Sequence, residues 1–168
     1  PSIEIRDAAE FKHDGLPTYS SWRRLCAIAE YVEDSYVIQL DADTVTVGPV
    51  PEVATAMRTG TPFILGTQDN QDFMSRAAAA EYARENLLTG TVRPQGWAEA
   101  ALDELEIPGI ERYVRGCAGF AGYAQRSFDI ARLRQISNRM KEMLGETWTR
   151  WGTEQFTTNL IISNTPGA

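Results

Sequence analysis

Asp41 and Asp43 stand two residues apart in the stretch Tyr36–Val50, YVIQLDADTVTVGPV. Four of the five residues before them, Tyr36, Val37, Ile38 and Leu40, are apolar, and Gln39 is the one polar residue. A short apolar run that ends abruptly in acids predicts a buried strand whose C-terminal end carries chemistry. In open α/β sheets, ligands bind at the carboxyl ends of strands. Two nearby carboxylates repel each other, and a divalent cation relieves that repulsion. Mn²⁺ and Mg²⁺ take such oxygen ligands while keeping waters and binding substrate phosphates. A cation held there neutralises a diphosphate and makes it a better leaving group.

The elements that would position this pair follow from periodicity. Thr18–Asp34 predicts a helix, with Thr18 or Ser20 as its cap. Trp22, Leu25, Cys26, Ala29 and Val32 recur at steps of three and four and form its apolar stripe. Arg23 and Arg24 flank that stripe, as a solvated pair or as guanidinium groups beside an anionic ligand. After the Asp pair, Thr44–Val47 continues extended, and Gly48, Pro49 and Pro51 turn the chain. Pro51 suits the first turn of a short helix, Glu52–Arg58, which Gly60 ends. Pro62–Leu65 is a further strand, and Gly66–Asp72 a polar loop in which Asp69 and Asp72 are solvated or hold a sugar or metal.

Upstream, Ser2–Arg6 alternates as a strand would, and Asp7–Pro17 predicts a loop. The sole histidine, His13, lies in that loop, solvated or with a metal or phosphate role. Downstream, helices are predicted over Met74–Leu88, Trp97–Leu105 and Phe128–Leu144. The last has Ser127 as cap, with Phe128, Ala131, Ile136, Met140 and Leu144 near one face. Arg112–Ala124 predicts one or two strands. Its glycines at 116, 119 and 122 lack the dinucleotide-binding spacing and signal bulges, a close ligand or a tight strand crossing. Trp148 and Trp151 either line a carbohydrate site or anchor the core. Thr153–Ser163 is a final helix, with Thr153 as cap and Glu154 in its first turn. Alternating strands and helices imply an α/β domain, 1–168, with a mixed or parallel sheet flanked by helices.

Composition narrows the function classes. Of 168 residues, 43% are hydrophobic and 23% charged, as in an ordinary globular domain. The formal net charge of −7 argues against a general nucleic-acid binder, which needs a basic face. Cys26 and Cys117 are too few for a disulfide framework and sit in apolar contexts, as small core residues do. No stretch approaches the ~20 apolar residues of a transmembrane segment.

The segment YVIQLDADTVTVGPV resembles the strand and DXD motif of the GT-A glycosyltransferases. The helix that opens Ser20-Ser-Trp-Arg-Arg-Leu is similar to the one in which these enzymes carry an arginine near the nucleotide. Gly116–Tyr123 resembles their acceptor-side strand, and Trp151-Gly-Thr-Glu-Gln155 resembles the acidic-Gln segment that opens a late helix by the reaction centre. The resemblance spans Thr18 to Asn164. It implies a GT-A-like sheet and a metal-dependent transferase acting on a nucleotide sugar, UDP-linked, with a carbohydrate, lipid or protein acceptor. Asp41, Ala42 and Asp43 would form the donor motif, with Asp41 and Asp43 on Mn²⁺ or Mg²⁺. Arg23 or Arg24 would touch the nucleotide or its phosphates. Glu154 would orient the acceptor, act as base or stabilise the developing cation, and Gln155 would hydrogen-bond the sugar. The family's opening strand–helix–strand half and its late metal-binding histidine have no counterpart here, so an incomplete donor site is expected.

Two other readings stand beside this one. Asp41 and Asp43 match the nucleophile and acid/base of HAD-type phosphatases. That family also needs a later lysine and an acidic pair, and Lys141 is the one downstream lysine, placed mid-helix. Alternatively the Asp pair is a turn in a non-catalytic binding domain.

Overall fold

The structure is a computed structural model that describes residues 3–66 and 72–167. Asp69 lies outside the described residues. The helices are α1 (Ser20–Tyr31), α2 (Pro51–Thr59), α3 (Arg76–Asn86), α4 (Pro94–Ala100), α5 (Ile130–Leu144) and α6 (Thr153–Ser163). The strands are β1 (Val37–Leu40), β2 (Phe63–Gly66), β3 (Met74–Ser75), β4 (Arg112–Tyr113) and β5 (Gly116–Tyr123). Three short 3₁₀ turns, at Ala8–Phe11, Leu102–Glu104 and Gly145–Thr149, complete the regular structure.

The α/β class is as expected, but the sheet is not mixed or parallel. β5 lies between β1 and β2 and pairs antiparallel with both. The connection from β1 through α2 to β2 leaves a central slot, and β5 returns through it in the opposite direction. β3 and β4 form a separate antiparallel pair.

The three glycines of β5 show how this crossing is made. A methyl at Gly122 would lie 2.3 Å from the Phe63 ring and 2.4 Å from the Tyr36 hydroxyl. One at Gly116 would lie 2.7 Å from the Ile64 side chain. Side chains from both neighbours therefore lie across the strand where β5 has none. Between the pairs Ile64–Ala121 and Leu65–Cys117 the register slips, which marks a bulge in β5.

α6 is the central helix, and every residue in it except Gln155 is buried. Its start is fixed by Gly152, whose φ of +107° few other residues adopt. Thr153 is therefore the first helical residue rather than the cap. Its hydroxyl accepts from Trp22 Nε1 at 2.9 Å and bonds the Tyr19 hydroxyl at 2.8 Å, tying α6 to α1. Trp148 is wholly buried, stacked edge-on against Trp22 and Phe156, and its indole donates to Ser137 Oγ at 2.9 Å. The predicted stripe of α1 is buried in full.

Several local expectations are corrected. Residues 3–6 are exposed and form no strand. The loop after them contains the turn Ala8–Phe11, closed by a reciprocal capping box of Asp7 and Glu10. Neither Thr18 nor Ser20 caps α1; Tyr19 flanks it without a side-chain cap. Residues 44–47 join no ladder. Met74 and Ser75 pair as β3, so that Ser75 caps a helix starting at Arg76. Pro94, suited to a first turn, starts α4 before Trp97, and the helix closes at Ala100. Asp129 rather than Ser127 caps α5, accepting from Arg132 N at 2.7 Å. Leu133 takes the inner position expected of Ala131, which is exposed.

Candidate functional site

The strand that carries the Asp pair is oriented opposite to its composition. Gln39 faces the core and is 6% exposed, whereas Ile38 and Leu40 are 37% and 45% exposed. Alternation forces a choice of face, and α1 and α6 cover the Gln39 side. Its amide is satisfied there, donating to the Ala118 carbonyl and accepting from the Tyr123 hydroxyl at 3.2 Å. That hydroxyl also bonds Thr158 Oγ1 at 3.1 Å.

Beyond the strand end, Asp41, Ala42, Asp43 and Thr44 make a tight turn, closed by Thr44 N–H donating to Asp41 O at 3.0 Å. Asp41 N–H donates to Gly119 O at 2.8 Å, which pins the start of the turn to β5. A methyl at Gly119 would lie 2.7 Å from Asp41 Oδ2, so the carboxylate rests against a backbone that only glycine leaves bare. Arg24 Nη1 donates to Asp41 Oδ1 in a half-exposed ion pair. Arg23, its neighbour on α1, holds a buried Nε with no hydrogen-bond partner. Ala42 and Asp43 are exposed at the turn.

Beside this tip a cleft of about 500 Å³ opens, within the size range of small-ligand sites. Arg93, Gln95, Arg115, Cys117 and Gln155 are on its wall. Cys117 Sγ comes within 3.4 Å of the same point over Gly119 that Asp41 Oδ2 approaches, so a residue of the cleft wall lies near the Asp41 carboxylate, which is not itself on that wall. Gln155 is thus brought into the cleft, where its amide donates to Gly116 O at 3.2 Å.

Glu154 is placed differently. It is 7% exposed, and Oε2 accepts from the Tyr19 hydroxyl at 2.7 Å and from Gly152 N–H at 3.1 Å. Burial pushes the Tyr19 phenol well above its ordinary value, and the adjacent Glu154 charge adds to that. These contacts join the start of α6 to α1, and Glu154 is not on the cleft wall.

The sequence reading missed Glu99, which is 1% exposed behind the cleft. Its Oε1 accepts from Gln95 at 2.8 Å and from the Tyr113 hydroxyl at 2.7 Å, and its Oε2 accepts from Arg115 Nε at 3.2 Å. Burial raises its carboxyl above the ordinary range, with Arg115, Tyr113 and Gln95 opposing. Asn159 Nδ2 donates to the same Tyr113 oxygen at 3.1 Å, while its own Oδ1 is buried without a partner. The available signal was spacing: Gln95, Glu99 and Leu102 fall at helical steps on one face, with Trp97 outside and 44% exposed.

Other candidates lie apart from the cleft. His13 Nε2 bonds Glu30 Oε1 at 3.0 Å. Trp151 is exposed. Asp72 is exposed, and Lys141 borders a different cleft with Gly15 and Trp148. Cys26 is a core residue as expected, but Cys117 is half-exposed. Among the described residues, no three His, Cys, Asp and Glu side chains gather as a metal cluster. No helix among them is long and apolar enough to cross a membrane. The chain matches no family model, no curated protein and no solved structure.

Proposed function

We propose that this chain is a GT-A-type, metal-dependent glycosyltransferase domain that uses a nucleotide-diphosphate sugar, UDP-linked. The observation that carries the reading is the seat of Asp41. Its carboxylate lies at the C-terminal tip of β1, against bare Gly119 backbone, beside an arginine and near Cys117 of the cleft wall.

The residues present fit a divalent cation shared with a substrate diphosphate. Asp41 and Asp43 supply two carboxylates from one turn. That leaves most of an oxygen shell to phosphate and water, the manner in which Mg²⁺ is commonly held. Gly119, without a side chain, lets Asp41 Oδ2 lie against the β5 backbone, while Oδ1 pairs with Arg24. Held by Asp41 and Asp43, Mn²⁺ or Mg²⁺ would supply positive charge to a departing diphosphate.

The chain's own groups then have distinct tasks. Arg24, which pairs with Asp41, is placed to transfer its hydrogen bonds to a phosphate oxygen, for which a guanidinium is suited. Arg23 Nε, a buried donor without an acceptor, is a second candidate for an anionic oxygen. Gln155 faces the cleft in which the sugar or acceptor sits. Glu154 holds α6 in register through Tyr19 and Gly152, and so positions Gln155.

The test is UDP binding by calorimetry with and without Mn²⁺, together with Mn²⁺-dependent release of UDP from UDP-sugars. Asp43→Asn should weaken Mn²⁺-dependent UDP binding by at least about tenfold, the scale of perturbing a metal site. Its melting temperature should stay near that of the parent, because Asp43 is exposed. Equal UDP affinity with and without Mn²⁺ in the parent would sink the reading.

A further inference from the structure

We infer that a second cleft, between the end of α1 and the turn that joins β5 to α5, binds a small zwitterion with an ammonium and a carboxylate group, as a free amino acid or a short peptide has. The inference goes beyond the transferase reading and does not depend on it, because this cleft and the one beside Asp41 share no wall residue.

The cleft has a volume of about 640 Å³, within the range of small-ligand sites. Ala29 and Glu33 line it from α1 and the residues just past that helix, and Arg126, Ser127 and Phe128 line it from the turn. The turn is closed by Ser127 N–H donating to Ala124 O at 3.2 Å, and Arg126 is its third residue. Arg126 has a φ of +58°, and no other non-glycine residue among those described has a positive φ. A turn with positive φ at its third position favours glycine, which adopts it without strain. Arg126 N–H donates to Val32 O at 2.6 Å and so holds the turn against the end of α1. A guanidinium is therefore mounted on the cleft at a backbone position suited to glycine, and strain of this kind gathers at ligand clamps.

The charged groups on the wall divide into two sets. Asp129 and Arg132 are taken up by the fold: Asp129 Oδ1 caps α5, and the Arg132 guanidinium donates to Gln135 Oε1 and Pro108 O. The Arg126 and Glu33 side chains have no partner among the described residues, and they are not paired with each other although both line the cleft. Ser127 Oγ is buried, also without a partner. One cation, one anion and one hydroxyl are thus left over. A singly charged ligand would be attracted by one of the two charges and repelled by the other. A zwitterion satisfies both. Its carboxylate accepts from Arg126, its ammonium donates to Glu33, and the Ser127 hydroxyl bonds either group. Ala29 and Phe128 supply apolar wall for the body of the ligand.

The experiment is a ligand-observed NMR titration of the whole chain with leucine and leucyl-leucine, beside the N-acetyl and C-amide forms of each. At least one zwitterion should bind saturably, and both of its blocked forms should bind at least about tenfold more weakly, the scale of one lost charge-assisted contact. Tighter binding of leucine identifies the ligand as a free amino acid, and tighter binding of leucyl-leucine as a peptide. Arg126→Gly should weaken the zwitterion by about tenfold or more and leave its C-amide form unchanged, with a melting temperature no lower than that of the parent. Glu33→Gln tests the other charge from a separate element. It should weaken the zwitterion to a similar degree and leave the N-acetyl form unchanged. A variant that merely loosened the fold would weaken all forms alike. That uniform loss, unchanged affinity in either variant, blocked forms that bind as tightly as the zwitterion, or no saturable binding of either zwitterion would overturn the inference.

Discussion

At the scale of single residues, the most consequential group is Glu99. A carboxyl at 1% exposure loses hydration in its charged form, and burial is the largest influence on it, raising its pKa. A raised carboxyl binds a proton more tightly in the folded state than in the unfolded one. Its contribution to stability is therefore greatest at low pH. That contribution is lost as pH rises from the ordinary carboxyl value through the folded one. Glu99→Gln keeps the shape and removes the titration. The melting temperature of the variant, relative to the parent, should rise by about 2–4 °C between pH 4.5 and pH 8. Parallel thermal melts by circular dichroism would show this, and a flat or falling difference would mean that Arg115 dominates over burial. Asp41 is the contrasting case. It is half-exposed and already paired with Arg24, so its importance lies in what it can bind rather than in what it stabilises.

At the scale of elements, α6 and the turn before it decide the layout. Gly145–Thr149 delivers Trp148 into the core, and Gly152 turns the chain so that Thr153 and Glu154 meet α1. Two tryptophans three residues apart thus have opposite fates. Trp148 fills a wholly buried slot and satisfies its indole on Ser137, whereas Trp151 is 64% exposed. Trp148→Ala should cost about 3–5 kcal/mol, the range for deleting a buried aromatic. Trp151→Ala should stay within about 0.5 kcal/mol. Urea unfolding of both variants checks the pair, and comparable losses would show that Trp151 also packs. The glycine stripe of β5 works at this scale too. Phe63, Tyr36 and Ile64 lie over its gaps, which identifies it as a strand crossing at 116 and 122 and as a seat for Asp41 at 119.

At the scale of the whole molecule, the sheet has one well-covered face. Ala121, Tyr123 and Gln39 look into the core with α1 and α6, while Ile38, Leu40 and Leu65 are at least a third exposed. α2 buries only Ala56. Substitutions on the two faces should therefore differ. Ile38→Lys should change stability by no more than about 1 kcal/mol, because the side chain already reaches solvent. Ala121→Asp places an unpaired charge where exposure is 0% and should cost about 3 kcal/mol or more. Chemical denaturation of the two variants separates them, and a large loss from Ile38→Lys would mean that the outer face is more completely covered than it stands here.

The sequence by itself determined the principal helices, α1, α5 and α6, and where the Asp pair falls. The stripe of α1, the limits of α6 and the turn at Gly60 follow from local rules, because helical periodicity and glycine's φ range act over a few residues. The placement of Asp41 and Asp43 just past a strand was legible for the same reason. Only the tertiary structure decided which face of β1 is inside. The composition favoured the apolar residues, but α1 and α6 lie on the Gln39 side and bring Tyr123 and Ala118 to satisfy its amide. It also decided that β5 runs antiparallel through the sheet, and that Gly119 lies under Asp41. Arg115 and Gln155 come together on one cleft wall from separate elements, with Glu99 bonded to Arg115, and such a juxtaposition leaves no local signal. What the packing adds to the DXD turn is its surroundings: a counter-charge, a bare glycine seat and a cleft walled by arginines.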